Sequence, residues 1–136
     1  GEPHIIELAA RLSGGYFCTH EIPFNTGIDF VKYAIKIAIG EKINPVELVP
    51  KYNKFISQRY FFPKPGIIHS INGIENLQNN NSIKYFSLHI KPGQYIEKPT
   101  AHPSRGGMVI AAGESRKDAI FNAKKAIEQI KFEYKT

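Results

Sequence analysis

Cys18 is the only cysteine in the 136 residues, so the chain can build no internal disulfide, no thiolate zinc cage and no dithiol redox pair. A reducing, cytoplasmic setting is the expectation. No stretch approaches the roughly 18 consecutive apolar residues of a membrane span, and no basic segment followed by an apolar run opens the chain. Blocks of about five like charges are also missing, as is any internal repeat. The net charge of +6 comes from lysines scattered between Lys32 and Lys135 with acidic residues among them, the pattern of a solvated surface rather than a polyanion-binding stripe. With 42% hydrophobic residues, the chain can bury one core, in one domain or a domain plus a fragment of another. The first residue is Gly1, not methionine, and His4-Ile5-Ile6 reads as the end of a strand, so an excised boundary is expected.

Thr26 and Asp29 stand three apart ahead of Ile28, Val31, Ile35, Ala38 and Ile39, which recur at helical spacing until Gly40; the pattern predicts an amphipathic helix over 26–39. Residues 41–50, carrying Pro45 and Pro50, cannot extend it and read as a connection, with a domain division at 48/49. Runs rich in β-favouring residues predict strands over 55–62, 67–71, 83–90 and 108–112, with Phe86, Leu88 and Ile90 on one face of the third. Residues 74–77 read as a short helix, and Asn79-Asn80-Asn81-Ser82 as a turn. Ser115 with Asp118 caps a last helix whose apolar stripe is Ala119, Ile120, Ala123, Ala126, Ile127 and Ile130.

The nine residues Glu7-Leu8-Ala9-Ala10-Arg11-Leu12-Ser13-Gly14-Gly15 concentrate the chemistry. On a strand, Glu7, Ala9 and Arg11 point to one face and Leu8, Ala10 and Leu12 to the other, giving a carboxylate and a guanidinium side by side next to a glycine turn. An ordinary ion pair on an edge strand is the plainer reading of Glu7 and Arg11 alone. His20 and Glu21 read as exposed loop residues; His4, His69, His89 and His102 lack metal-ligand spacing. Arg105-Gly106-Gly107 is either a phosphate nest or a turn into the next strand, the turn being the simpler. Tyr52, Phe55, Tyr60, Phe61, Phe62, Tyr85 and Phe86, interleaved with Lys51, Lys54, Arg59 and Lys84, raise single-stranded nucleic-acid stacking, but no RNP-like or Gly-x-x-Gly signature accompanies them and a β core flanked by lysines is preferred. A brace or dimer surface is the third possibility.

Glu7, Arg11, Gly14 and Gly15 in this order resemble the closing strands of the ATP-grasp domain. Thr26-Gly27-Ile28-Asp29-Phe30, with the helix and Gly40 after it, is similar to the following segment of biotin carboxylases and carbamoyl phosphate synthases. Gly113-Glu114-Ser115-Arg116 resembles the turn before the last helix of the biotin carboxylase C-terminal subdomain. The resemblance implies an α+β fold in which residues 1–48 complete an ATP-grasp lobe and residues 49–136 form a small mixed or antiparallel sheet packed with helices. It implies ATP and Mg²⁺ as cofactors and a parent enzyme that joins a carboxylate to an amine through an acyl phosphate. Glu7 would bind the metal; Glu7, Arg11, Gly14 and Gly15 the nucleotide phosphates; Arg11 and Gly14 would act in catalysis. Ala9 stands where an Asn is common, a departure shared by the amino-acid-ligating branch. The implied partners are the upstream ATP-grasp half, small-molecule carboxylate and amine substrates and a possible second copy, with no membrane and no nucleic acid; alone, this chain would be inactive.

Overall fold

A computed structural model describes residues 2–101 and 104–135, and orders them as helices α1 (Ile22–Thr26), α2 (Phe30–Ala38), α3 (Ile74–Gln78) and α4 (Arg116–Gln129) and strands β1 (Phe55–Phe61), β2 (Gly66–Asn72), β3 (Ile83–Leu88), β4 (Tyr95–Ile96), β5 (Gly107–Gly113) and β6 (Lys131–Tyr134). A π-helical turn, Phe17–Glu21, runs straight into α1, and a 3₁₀ turn, Pro45–Leu48, lies in the connection before β1. His102 and Pro103, part of the expected loop before β5, lie outside the described residues.

Three strands pair in the order β1–β5–β3, antiparallel throughout, and three more in the order β4–β2–β6, also antiparallel. The expected α+β architecture with a small antiparallel sheet and covering helices is the one observed. Strand β5 sits at the centre of its sheet, and Met108, Val109, Ile110 and Ala111 are all buried. A strand covered on both faces reads as an unbroken apolar run, as this one does. One cover is α4, which lays Ala119, Ala123 and Ala126 on the sheet; these small side chains let helix and sheet approach closely. Ser115 starts α4 as expected: its hydroxyl accepts from the Asp118 N–H at 3.2 Å and lies 2.6 Å from the Asp118 carboxylate. Phe61, Leu77, Val109, Ala126 and Ile130, from β1, α3, β5, α4 and the residue after α4, form the core, and Phe132 of β6 meets Phe61 edge-on with ring centroids 6.3 Å apart. Phe86 and Leu88 point into this core, in line with the predicted alternation, although β3 ends at Leu88 and does not reach Ile90.

Several helix and strand boundaries differ from the sequence expectation. The helix predicted over 26–39 starts later, as α2 over Phe30–Ala38, and Thr26 belongs to the end of the preceding helix. Thr26 closes α1, its hydroxyl donating to the Ile22 carbonyl at 2.8 Å and accepting from the Ile28 N–H at 3.2 Å, while Asp29 alone caps α2 by accepting from Lys32 N–H at 2.9 Å. Strands β4 and β6 have no counterpart in the sequence expectation. The first is two residues long, and the second follows α4 after a single residue, Ile130, so that the helical stripe runs into the strand without a turn signal. The expected division at 48/49 is crossed by backbone hydrogen bonds of 2.9 Å from Lys51 to Thr26 and from Lys54 to Asn25. Within the described residues no helix is long and apolar enough to cross a membrane.

The opening strand is the main correction. Residues 2–15 are exposed and pair with no strand among the described residues. Backbone donors and acceptors of an extended segment need a neighbouring strand, and where none is offered water takes its place. In addition, the Arg11 N–H donates to the Ala9 carbonyl at 2.8 Å, closing a three-residue turn at Ala10 that breaks the strict alternation from Glu7 to Arg11.

Candidate functional site

On the sheet face opposite α4, cross-strand partners put Gln58 beside Ile110 and Tyr60 beside Met108, with Tyr85 beside Ile110 from the other edge. The glycine turn rests on this face. Gly15 (φ +65°) and Tyr16 (φ +71°, ψ +5°) are both left-handed, a conformation that glycine adopts freely and tyrosine only when held. The holding contacts are visible. The Gly15 carbonyl accepts from Gln58 Nε2 at 2.7 Å and from the Tyr60 hydroxyl at 3.2 Å, and Gln58 and Tyr60 are hydrogen-bonded to each other. The Arg105 guanidinium lies 3.6 Å from the centre of the Tyr60 ring. The Tyr16 ring stacks on His89 with its hydroxyl 2.9 Å from His89 Nε2, and lies 5.9 Å from the Tyr85 ring. The Ser13 N–H donates to Cys18 Sγ at 3.2 Å, tying the start of the turn to the only cysteine, which is buried.

The predicted site residues are thus treated unequally. Glu7 and Arg11 are exposed and form no ion pair with each other. Gly14 is exposed, with open space where a side chain would begin. Gly15 is docked on β1. The structure therefore brings Gly15 to a defined surface but does not join the acidic and basic side chains there. The described residues contain no group of three or more His, Cys, Asp or Glu side chains that could hold a metal ion, so Glu7 does not make a metal site by itself.

His20 and Glu21 are more than exposed loop residues. The His20 ring lies 4.0 Å from that of Tyr85 and 5.5 Å from Tyr16. One Glu21 carboxylate oxygen, Oε2, is buried without a partner, and burial raises the carboxyl above its ordinary value of 4.5, partly offset by the Arg59 guanidinium. A carboxyl whose folded-state pKa is raised binds its proton more tightly in the native state, so its contribution falls as pH rises from 4.5 through the raised value. Glu21→Gln is accordingly expected to stabilise the fold at pH 7, by under about 1 kcal/mol because much of the side chain stays in water, and to flatten the stability profile above about pH 4.5; urea midpoints measured across that range check it.

Gln58 and Tyr16, which the sequence analysis does not name, and Tyr60 and His89, which it considers only for nucleic-acid stacking and for metal-ligand spacing, form the support around the glycine turn. Two signals for them exist: a tyrosine directly after a Gly-Gly pair, and a glutamine that is buried although its strand neighbours Ser57 and Arg59 are also polar. Of the aromatics considered for nucleic-acid stacking, Phe61 and Phe86 pack in the core and Tyr60 and Tyr85 lie under the glycine turn, whereas Tyr52, Phe55 and Phe62 are exposed. Gly106-Gly107 leads into β5, in agreement with the simpler reading.

Known proteins add the following. The family described as L-amino acid ligase C-terminal domain 2 matches residues 59–135. The L-amino acid ligase from Bacillus licheniformis is similar over 98% of this chain and 33% of its own, with a TM-score of 0.77 and 18% identity. Phosphoribosylglycinamide synthetase from Anaerococcus prevotii is similar over 87% of this chain and 30% of its own, with a TM-score of 0.69 and 23% identity. This chain therefore spans about a third of the length of those structures. No curated protein matches it. The chain belongs to the L-amino acid ligase C-terminal domain 2 family and has the architecture of the C-terminal part of ATP-grasp enzymes.

Proposed function

We propose that the chain completes an ATP- and Mg²⁺-dependent ligase that joins a small carboxylate to an amine through an acyl phosphate, and is inactive without the rest of that enzyme. The observation that carries this is the similarity to an L-amino acid ligase over 98% of the chain, which takes in the glycine turn and nearly everything before residue 59. Exposed apolar residues support a covering partner: Ile5, Ile6 and Leu8 ahead of the turn and Ile35, Ile37 and Ile39 on and just after α2 lie open to water, a set that an upstream ATP-grasp half would bury.

In this reading Arg11 holds the transferred phosphoryl group or the oxyanion of the adduct, and Gly14 and Gly15 offer backbone N–H groups to the same oxygens without a side chain in the way. Glu7 would give a carboxylate to Mg²⁺, and the ion, when bound, would neutralise phosphate charge. Such a reaction depends on positioning and charge neutralisation, so it needs no serine or cysteine nucleophile, and Cys18 is left to packing. The test uses the intact enzyme containing this chain. Amino acids are expected to stimulate ADP formation, and hydroxylamine to intercept the acyl phosphate as a hydroxamate. ADP formation that no carboxylate stimulates would refute the ligase reading.

A further inference from the structure

The Gly15 carbonyl is gripped twice while the side chain that grips it is incompletely satisfied. Gln58 is only 9% exposed and uses its Nε2 on Gly15 and Tyr60, leaving Oε1 buried with no partner. An unmet buried acceptor is unfavourable, and an apolar side chain of the same shape would avoid that cost. Stability alone is therefore a poor reason for a glutamine here. The geometry of the peptide unit supplies a better one. In a trans peptide the C=O and N–H point in opposite directions, so drawing the Gly15 carbonyl onto β1 turns the Tyr16 N–H away from the sheet. That N–H donates to nothing among the described residues, and the neighbouring Gly14 has no atom within 4 Å of the place a side chain would begin.

We propose that Gln58 and Tyr60 are positioning residues of the ligase reaction, holding the Gly15 carbonyl so that the Gly14, Gly15 and Tyr16 backbone N–H groups are aimed at the phosphoryl or carbonyl oxygens. The proposal rests on the ligase reading above and deepens it. Tyr60 is itself held by the Arg105 guanidinium over its ring, and Tyr16 by His89, so the turn is fixed from both sides. A left-handed tyrosine is strained, and these contacts offset the strain. Neither Gln58 nor Tyr60 touches substrate; both act through the turn.

The test compares the intact enzyme with Gln58→Met, which keeps the length of the side chain and removes the donor, and Tyr60→Phe, which keeps the ring under Arg105. Gln58→Met is expected to lower kcat roughly 10- to 100-fold, with KM for ATP within about twofold and a melting temperature equal to or above that of the wild type. Tyr60→Phe should cost less, and the double variant should depart from the product of the two single effects, because both act on one oxygen. Unchanged kcat in Gln58→Met, or a fall in kcat that tracks a fall in melting temperature, overturns the positioning role while leaving the ligase reading intact. A wild-type enzyme without carboxylate-stimulated ADP formation overturns the ligase reading, and this role with it.

Discussion

Gly107→Ala is expected to destabilise the fold by about 3 kcal/mol, the sum of overpacking a tight site and forcing a side chain into a glycine conformation. Gly107 opens the central strand β5 with φ at +147°, opposite Phe61 on one side and Leu88 on the other. A methyl group there would overlap the Ser87 carbonyl oxygen and stand 3.0 Å from Leu88 Cα and 3.2 Å from the Phe61 ring. Two of these neighbours are backbone and the third is the core phenylalanine, so none yields without moving β3 or the core. Gly93 is the control. It also has positive φ, at +86°, but nothing lies within 4 Å of the place an added methyl would take, so Gly93→Ala carries only the conformational term and no clash. That term is about 1 kcal/mol. Urea denaturation of the two variants separates the effects. Equal costs would mean that β3 and β5 do not approach as closely at this point as the register shows.

That glycine illustrates what the sequence discloses and what it withholds. The apolar run behind it announces a buried strand, and Ser115 with Asp118 announces the start of α4, because strand burial and helix capping are local properties written in consecutive residues. Thr26 and Asp29 have the spacing of one capping pair, but spacing alone does not say whether two capping residues serve one helix or close one and open the next. Strand β6 is hidden for a similar reason: Ile130 completes the stripe of α4, and Phe132, two residues on, anchors in the core from a strand. The candidate site is legible at its glycines. What the sequence does not reveal is the support beneath them, since Gln58 and Tyr60 lie 43 and 45 residues from Gly15 and reach it only through the pairing of β1 with β5. The alternation that puts Glu7 and Arg11 on one face assumes a paired strand; the turn at Ala10 shows how readily an unpaired segment departs from it.

If the proposed ligase function holds, Arg11→Ala is expected to lower kcat of the intact enzyme roughly 10²- to 10³-fold, about 2.7–4 kcal/mol of transition-state stabilisation, the scale of removing one oxyanion donor. The argument is one of charge. A guanidinium offers two parallel N–H donors and a full positive charge to an oxygen that becomes more negative as the reaction proceeds, so its interaction strengthens between ground and transition state and the loss falls on kcat more than on KM. Arg11→Lys should recover part of the rate by restoring charge without the paired donors. The position of Arg11 makes the experiment clean. It is exposed, and its backbone N–H, which holds the turn at Ala10, is kept by alanine, so stability should stay within about 0.5 kcal/mol of the wild type. Glu7→Gln provides the contrast. If Glu7 holds Mg²⁺, the variant should need more Mg²⁺ to reach its maximal rate, whereas Arg11→Ala should remain slow at every Mg²⁺ concentration. Initial-rate kinetics over a Mg²⁺ series check both, and a rate for Arg11→Ala within about threefold of the wild type would remove the arginine from the reaction.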